Sequence, residues 1–468
     1  MFRTRLVLSL VLIFVLAPPP LAAKTVVPTS REMIHLSFAP LVKKVAPAVV
    51  NVYSRRVVHT RAGPGALFND PLFRRFFGNT MPFGVPRERI ENSLGSGVIV
   101  DPSGLIVTNR HVIVGADEIR VVLSDRRQFK AKVILSDKRA DLAILKIDTH
   151  GEKLPVLTLG NSDKIEVGDL VLAIGDPFGV GQTVTSGIVS GLARSIGEND
   201  FGSLIQTDAA INPGNSGGAL VDLDGKLIGI NAAIFSPSGG SNGIGFAIPS
   251  NLVKSVIEAA RHGGRVVRPW FGASGQAVSP ALAQSFGLSH PEGVLIRDIV
   301  PGSPAASAGL QRGDVVLSVG GHDVNSPGEL RFRIATENLH AHPVVKFWRD
   351  GGTHTAEVTL TAPPNLPPRD LTTLGGEEPL AGATVGDLNP AFDAELGLDA
   401  TKTGVIVRKV AAGSYAERFG IAPGDLIVSV NDTETDTVRT LQQAVAQAGP
   451  WRITLERHGK RVTFSIGD

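Results

Sequence analysis

No cysteine occurs among the 468 residues. Structural disulfides and thiolate metal sites are excluded, and the fold must hold in any redox compartment. Charge of one sign is not in excess either. The 46 Lys and Arg against 44 Asp and Glu leave a net charge of +2. A dedicated nucleic-acid binder normally carries a strong basic face, so that partner class is set aside. Beyond the N-terminus no run is long and apolar enough for a membrane-spanning helix. None of the 11 histidines stands in a His-Glu-x-x-His zinc pattern, and His340 and His342 have no further ligands nearby in sequence. No metal is implied. Gly175-Asp176-Pro177-Phe178-Gly179-Val180-Gly181 lacks the strand-then-helix context of a nucleotide fingerprint. No cofactor is called for.

The N-terminus reads as a targeting segment. Arg3 and Arg5 precede an apolar run from Leu6 to Ala17, and Leu21-Ala22-Ala23 offers a small residue for cleavage after Ala23. An uncleaved anchor is the alternative. Pro18, Pro19 and Pro20 favour cleavage, because prolines stop a helix. The expected mature chain starts at Lys24 and lies in the periplasm.

What the chain has in quantity is glycine, 53 residues, between short apolar runs. Val98–Val100, Leu105–Val107, Ile119–Leu123, Val133–Leu135, Leu142–Ile147, Leu170–Ile174 and Leu227–Ile230 follow one another at β spacing. That rhythm predicts an all-β barrel or sandwich. Asp224-Gly225 marks a hairpin. The turn also explains Asp222 and Asp224 without calcium. Ser250 is expected to cap an amphipathic helix whose apolar face is Leu252, Val253, Val256, Ile257 and Ala260, ended by Gly263-Gly264.

Three short motifs interrupt the strands. Gly214-Asn215-Ser216-Gly217-Gly218 sets a serine on a tight turn, where the N–H groups of Gly214 and Ser216 can converge as an oxyanion hole. Upstream stand Thr108-Asn109-Arg110-His111-Val112 and Ala140-Asp141-Leu142. Each puts one titratable residue at the border of an apolar strand. The order His, Asp, Ser is that of chymotrypsin-like proteases. Taken singly, each motif reads as a turn, a cap or a structural histidine. Their order and setting point to nucleophilic catalysis.

With these residues the chain resembles the HtrA (Deg) serine proteases, most closely the periplasmic type with two PDZ domains. Gly95-Ser96-Gly97-Val98-Ile99 and Gly243-Ile244-Gly245-Phe246-Ala247-Ile248-Pro249-Ser250 support the resemblance. It implies a mainly β chain, a chymotrypsin-like double β-barrel followed by two PDZ domains. It also implies His111 as base, Asp141 as its orienting partner and Ser216 as nucleophile, at the seam of two barrels. The specificity pocket is expected near Ile211 and Asn212, beside Gly214 and Asn215, and along Ile230, Ala232, Ala233 and Ile234. No acidic residue falls in these segments, which disfavours Lys or Arg at the cleavage position and favours small aliphatic residues, as in the family. Asparagine at 215 cannot pair with a new amino terminus as a carboxylate would, so loop movement rather than propeptide removal is the expected switch. The glycine-rich stretch 175–181 is expected to be a mobile loop near the site.

An internal repeat follows the protease region. Gly302-Ser303-Pro304 through Gly313-Asp314 matches Gly413-Ser414-Tyr415 through Gly424-Asp425. A strand and a helix-like stretch come after each copy, which matches the PDZ domain. The divisions read are 1–23, 24–264 with an inserted loop at 59–93, 268–362 and 370–468, with a proline-rich linker from Pro363 to Pro368. Trp270-Phe271-Gly272 sits where the family's carboxylate-binding loop lies. In the second copy neither Leu374-Gly375-Gly376 nor Leu380-Ala381-Gly382 stands out, so peptide binding and an assembly role both stay open there. Phe68, Phe73, Phe76, Phe77 and Phe83 crowd the 59–93 loop and need a partner surface. In the family this loop contacts neighbouring active sites. The expected partners are unfolded polypeptides, hydrophobic C-terminal peptides and further copies of the chain in trimers and their multiples, with a contact at the membrane surface left open. An ATP-independent protease for envelope proteins is the first reading. A chaperone-like binding scaffold is the second, and a scaffold with a dead protease domain is the third.

Overall fold

The computed structural model describes residues 37–58, 89–176, 181–194, 203–234, 241–398, 401–447, 449–457 and 459–466. The signal segment, the five phenylalanines of the inserted loop and most of the 175–181 loop lie outside the described residues.

Two closed six-stranded barrels come first. The first contains β1 (Val49–Val58), β2 (Arg89–Asp101), β3 (Leu105–Asn109), β4 (Glu118–Val122), β5 (Gln128–Asp137) and β6 (Leu142–Ile147). They close in the order β1-β2-β3-β6-β5-β4. The second contains β7 (Leu170–Gly175), β8 (Thr183–Arg194), β9 (Leu204–Thr207), β10 (Ala219–Val221), β11 (Leu227–Ile234) and β12 (Gly245–Pro249), closed as β10-β11-β12-β9-β8-β7. Closure leaves no barrel edge unpaired, which is how short alternating strands avoid exposing ladder groups. The hairpin expected at Asp224-Gly225 joins β10 to β11, with Gly225 at φ +79°.

Each barrel has its own apolar core. The first is built on Val50, Val52, Ile99, Ile106, Val121 and Leu145. The second is built on Val171, Ala173, Val189, Ile205 and Leu220. A third cluster joins the barrels: Val98, Val107 and Ile144 from one side meet Leu172, Ile174 and Ile230 from the other. This seam core fixes the relation between the barrels and hence the site between them.

α1 (Arg110–Ile113) is a single turn after β3, and α2 (Ser250–Arg261) follows β12. Leu252, Val253, Val256 and Ile257 are buried as expected. Ser250 is not the cap. Pro249 holds that position, and the fully buried Ser250 hydroxyl donates to the Gly160 carbonyl at 2.9 Å instead. The serine ties the helix start to the chain entering the second barrel.

The repeat forms two sheets of similar plan. In the first, β13 (Ala273–Ala277), β14 (Val294–Ile299), β15 (Val315–Val319), β17 (Val344–Arg349) and β18 (Gly352–Glu357) run in that order, with β16 (His322–Asp323) paired to β15. In the second, β19 (Thr372–Thr373), β20 (Ala383–Asp387), β21 (Val405–Val410), β22 (Leu426–Val430), β24 (Trp451–Arg457) and β25 (Lys460–Ile466) do the same, with β23 (Thr433–Glu434) on β22. Helices α3 (Pro327–Thr336) and α4 (Val438–Val445) occupy equivalent places. The same ion pair on a buried carboxylate recurs: the partly exposed Arg349 grips Asp314 with both oxygens engaged, and Arg457 grips Asp425 likewise, each at 2.6 Å.

α3 also packs on α2 of the protease region. Phe332, 2% exposed, enters the seam core. Beside it Arg333 pairs with Asp163, which His322 also approaches at 3.8 Å. Arg268 pairs with the buried Asp137 at the junction of the two regions.

Candidate active site

β3 and β6 are neighbours, with Asn109 opposite Leu142. This register sets the turn carrying His111 against the residue before β6, Asp141. The Asp141 backbone takes φ +50°, a left-handed conformation that Asp tolerates better than most side chains. Its carbonyl accepts from the Arg110 N–H and from the Asn109 side-chain amide, both at 3.0 Å. Its carboxylate then meets His111 twice. Oδ1 accepts from the His111 backbone N–H at 3.0 Å, and Oδ2 lies 2.6 Å from Nδ1. The imidazole is thereby held through Nδ1.

Ser216 comes from the other barrel. Its turn is held by backbone bonds from Asn215 to Asn212, from Gly218 to Asn215 and from Gly217 to Asn231, at 2.8–2.9 Å. Gly217 has φ +85°, and a Cβ there would fall 2.1 Å from the Ser96 carbonyl. Only glycine fits so close an approach. Ser96, in β2, crosses the seam. Its N–H donates to the Ser216 carbonyl at 2.8 Å, and its hydroxyl donates to the Gly214 carbonyl at 2.6 Å. That hydroxyl also accepts from the Asp176 N–H at 2.8 Å. Among the described residues neither the Gly214 nor the Ser216 N–H has a hydrogen-bond partner. The Ser216 hydroxyl itself donates to the Ala232 carbonyl at 3.3 Å.

The structure thus brings His111 and Asp141 together in the first barrel and ties the Ser216 turn of the second barrel to β2 of the first. Ser96 and Asn109, which position them, were not singled out from the sequence. Their signals were present: Ser96 sits between two glycines, and Asn109 is two residues before His111. The pocket residues fare differently. Ile230 is 0% exposed in the seam core, and Ile211 is 1% exposed in the second barrel's core. Both side chains pack in core clusters, Ile230 from β11 and Ile211 from the loop before the Ser216 turn. Ala232 is buried and contributes its carbonyl. Ala233 and Ile234 continue β11. Asn212 is exposed, and its side chain accepts from the Ser241 N–H. Asn215 is buried, and its side-chain amide has no partner among the described residues. Gly175 makes room for it: a Cβ there would lie 2.5 Å from its Oδ1.

In the first PDZ domain Trp270 and Phe271 are buried and Gly272 takes φ +78°. Among the described residues the N–H groups of Phe271 and Gly272 have no partner, and β13, which follows them, is the outermost strand. The equivalent loop of the second domain is Leu380-Ala381-Gly382. Gly382 has φ +88°, and its Cβ would strike Ser414 at 2.2 Å, as that of Gly272 would strike Ser303 at 2.1 Å. The backbone bonds match as well: Val300 to Gly272 and Ala305 to Phe271 correspond to Ala411 to Gly382 and Ala416 to Ala381.

The trypsin-like peptidase domain family matches residues 95–230, and the PDZ domain family matches residues 295–349 and 406–456. A probable periplasmic serine endoprotease DegP-like of Marinomonas sp. (strain MWYL1) is 38% identical over 447 residues, covering 92% of this chain and 94% of its own. One from Pseudomonas savastanoi pv. phaseolicola (strain 1448A / Race 6) is 40% identical over 452 residues, covering 92% and 93%. Among solved structures, the HtrA-type protease AlgW with decapeptide is 44% identical, with a TM-score of 0.52 over 70% of this chain and 99% of that one. Relatives this similar, over so much of its length, place the chain in the HtrA (Deg) family, and it is a serine endopeptidase.

Proposed function

We propose that Ser216 is the nucleophile, His111 its general base and Asp141 the residue that holds the imidazole. The observation that carries this reading is the 2.6 Å contact between His111 Nδ1 and Asp141, in the barrel to which Ser96 anchors the serine turn across the seam. Nε2 of His111 would take the Ser216 proton as the hydroxyl attacks a peptide carbonyl, and would then protonate the leaving amine. Asp141 stabilises the imidazolium so formed. The N–H groups of Gly214 and Ser216 would receive the oxyanion, each such donor contributing about 3 kcal/mol. In the geometry described, the Ser216 hydroxyl points to the Ala232 carbonyl and has to swing away from it to react. Purified protein incubated with unfolded casein tests the reading. Ser216→Ala should abolish cleavage with fold and assembly intact, and cleavage persisting at the wild-type rate would overturn it.

The substrates we infer are unfolded polypeptides of the envelope, cut after small aliphatic residues without ATP. The periplasmic names of the relatives support that location, as does the N-terminal apolar run with its cleavage position after Ala23. The first PDZ domain is inferred to take hydrophobic C-terminal peptides at Trp270, Phe271 and Gly272. Its free N–H groups and open strand edge suit β-addition and carboxylate capture. We also infer a trimer-based assembly in which Phe68, Phe73, Phe76, Phe77 and Phe83 cover apolar surface on neighbouring copies. Sedimentation with and without unfolded substrate checks this. The divisions at 24–264, 268–362 and 370–468 are kept as the functional units.

A further inference from the structure

The two PDZ grooves are built alike, but among the described residues only the first has a free strand edge beside its loop. In the second, β19 lies along the outer edge of β20, antiparallel to it. Thr372 stands opposite Val385 and Thr373 opposite Thr384. The pairing extends on both sides: Asp387 donates its N–H to the Arg369 carbonyl at 2.6 Å, and Leu374 donates to the Ala383 carbonyl at 2.9 Å. At the end of the run the Leu374 carbonyl accepts the N–H of Gly382, in the carboxylate loop, at 2.8 Å. Leu374 is 4% exposed and belongs to the core cluster of Leu380, Val438 and Leu441, while Leu371 and Thr373 face solvent. This is how an extended peptide adds to such a sheet, with its last side chain buried and its last carbonyl in the loop.

We propose that Arg369–Leu374 is a built-in ligand of the second PDZ domain, closing a groove that would otherwise take the free carboxyl terminus of a peptide ending in a hydrophobic residue. The proposal rests on reading PDZ grooves of this chain as C-terminal peptide sites. The other loop donors are occupied as well: Ala381 donates to Glu378 and Ala383 to Leu380. A true terminus would end after Leu374. Here the chain instead continues through Gly375 and Gly376, the latter at φ +96°, and so turns away from the loop. A segment tethered this closely competes at roughly millimolar effective concentration, so peptide at micromolar levels does not displace it.

The test counts peptide sites per chain on the full-length protein carrying Ser216→Ala, which removes cleavage. The probe is a fluorescein-labelled peptide of residues 367–374, Pro-Pro-Arg-Asp-Leu-Thr-Thr-Leu, with a free carboxylate. Its binding is followed by anisotropy and equilibrium dialysis. Two variants release the segment differently. Leu374→Ser removes the buried side chain. Thr372→Pro removes a strand N–H from β19 opposite Val385 and leaves the buried Leu374 side chain in place. Each variant should bind one more peptide per chain than its parent, and amidating the peptide should abolish the extra site. Hydrogen exchange across β20–β22 reports whether the domain stays folded. If Leu374→Ser unfolds it, Thr372→Pro decides. No extra site in a folded Thr372→Pro variant, or two sites already in the parent, overturns the proposal. Zero sites in the parent and one in the variants would sink the reading of the first domain and uphold this one.

Discussion

Ser96→Ala separates the scaffold of the site from its chemistry. Ser96 is fully buried, and its hydroxyl links the Gly214 carbonyl to the Asp176 N–H across the seam. Removing it strands a buried carbonyl, which costs about 1–3 kcal/mol. The same bond fixes the peptide between the two proposed oxyanion donors. If the turn relaxes enough to misplace one donor, the loss is about 3 kcal/mol in the transition state, roughly a hundredfold in kcat. KM should change little, because ground-state binding does not use these donors. The assay is steady-state cleavage of an unfolded or short peptide substrate, paired with urea unfolding followed by a protease-domain probe. Thr108→Val is the control. Thr108 donates to the Ser96 carbonyl at 2.6 Å, so its loss weakens the same strand without touching Gly214. The expected result is a comparable stability loss in both variants, with a large kcat loss only in Ser96→Ala. Equal kcat values in the two variants would refute the positioning role.

Asp141→Asn should preserve the fold and lower kcat about 10⁴-fold in the same assay, because the amide favours the wrong imidazole tautomer. Arg349→Met should destabilise the first PDZ domain by about 1–3 kcal/mol in urea unfolding, because the buried Asp314 carboxylate loses both guanidinium bonds and keeps only the Gln311 N–H. Adding Asp314→Leu should recover most of that loss. Glu337 supplies the pH test. Burial first, and then the nearby Asp163, push its pKa above the ordinary 4.5 against the opposing pull of His322 and Arg333. Folding therefore favours the protonated form. Its contribution is complete below the ordinary value and is lost as pH rises through the raised one. Glu337→Gln should stabilise the protein at neutral pH, with the gain vanishing in melts below pH 4.5.

The parts of this structure legible in the sequence are those encoded locally. Leu142–Ile147 and Leu170–Ile174 read as strands because each is a short apolar run between turn residues. The proposed triad of His111, Asp141 and Ser216 was flagged by the order of three motifs rather than by any one of them. β8 was harder, since Gly187 and Gly191 break its pattern; both glycines lie where a side chain would strike Asp208–Ala209 or Arg194. Ile211 and Ile230 were expected at a pocket because they border the right segments, and their side chains are buried in the second barrel's core and the seam core respectively. Ser250 had the cap's chemistry without its position. Leu380-Ala381-Gly382 stood out no more than Leu374-Gly375-Gly376 in the sequence because Ala381 replaces an aromatic, although the Gly382–Ser414 packing matches that of Gly272 and Ser303 in the first copy. Thr372-Thr373 sits beside a proline-rich linker and has no strand signature, since its pairing is made with residues that follow a turn.

That pairing also sets a length. Arg369–Leu374 is zipped to β20, and the stretch before it is held as well, its Pro364 and Pro367 carbonyls accepting from the Ala391 N–H and the Asn389 side chain. The six zipped residues alone would extend to roughly 20 Å of chain. Length that could lie between the two PDZ domains is thus kept as one strand of the second domain's own sheet.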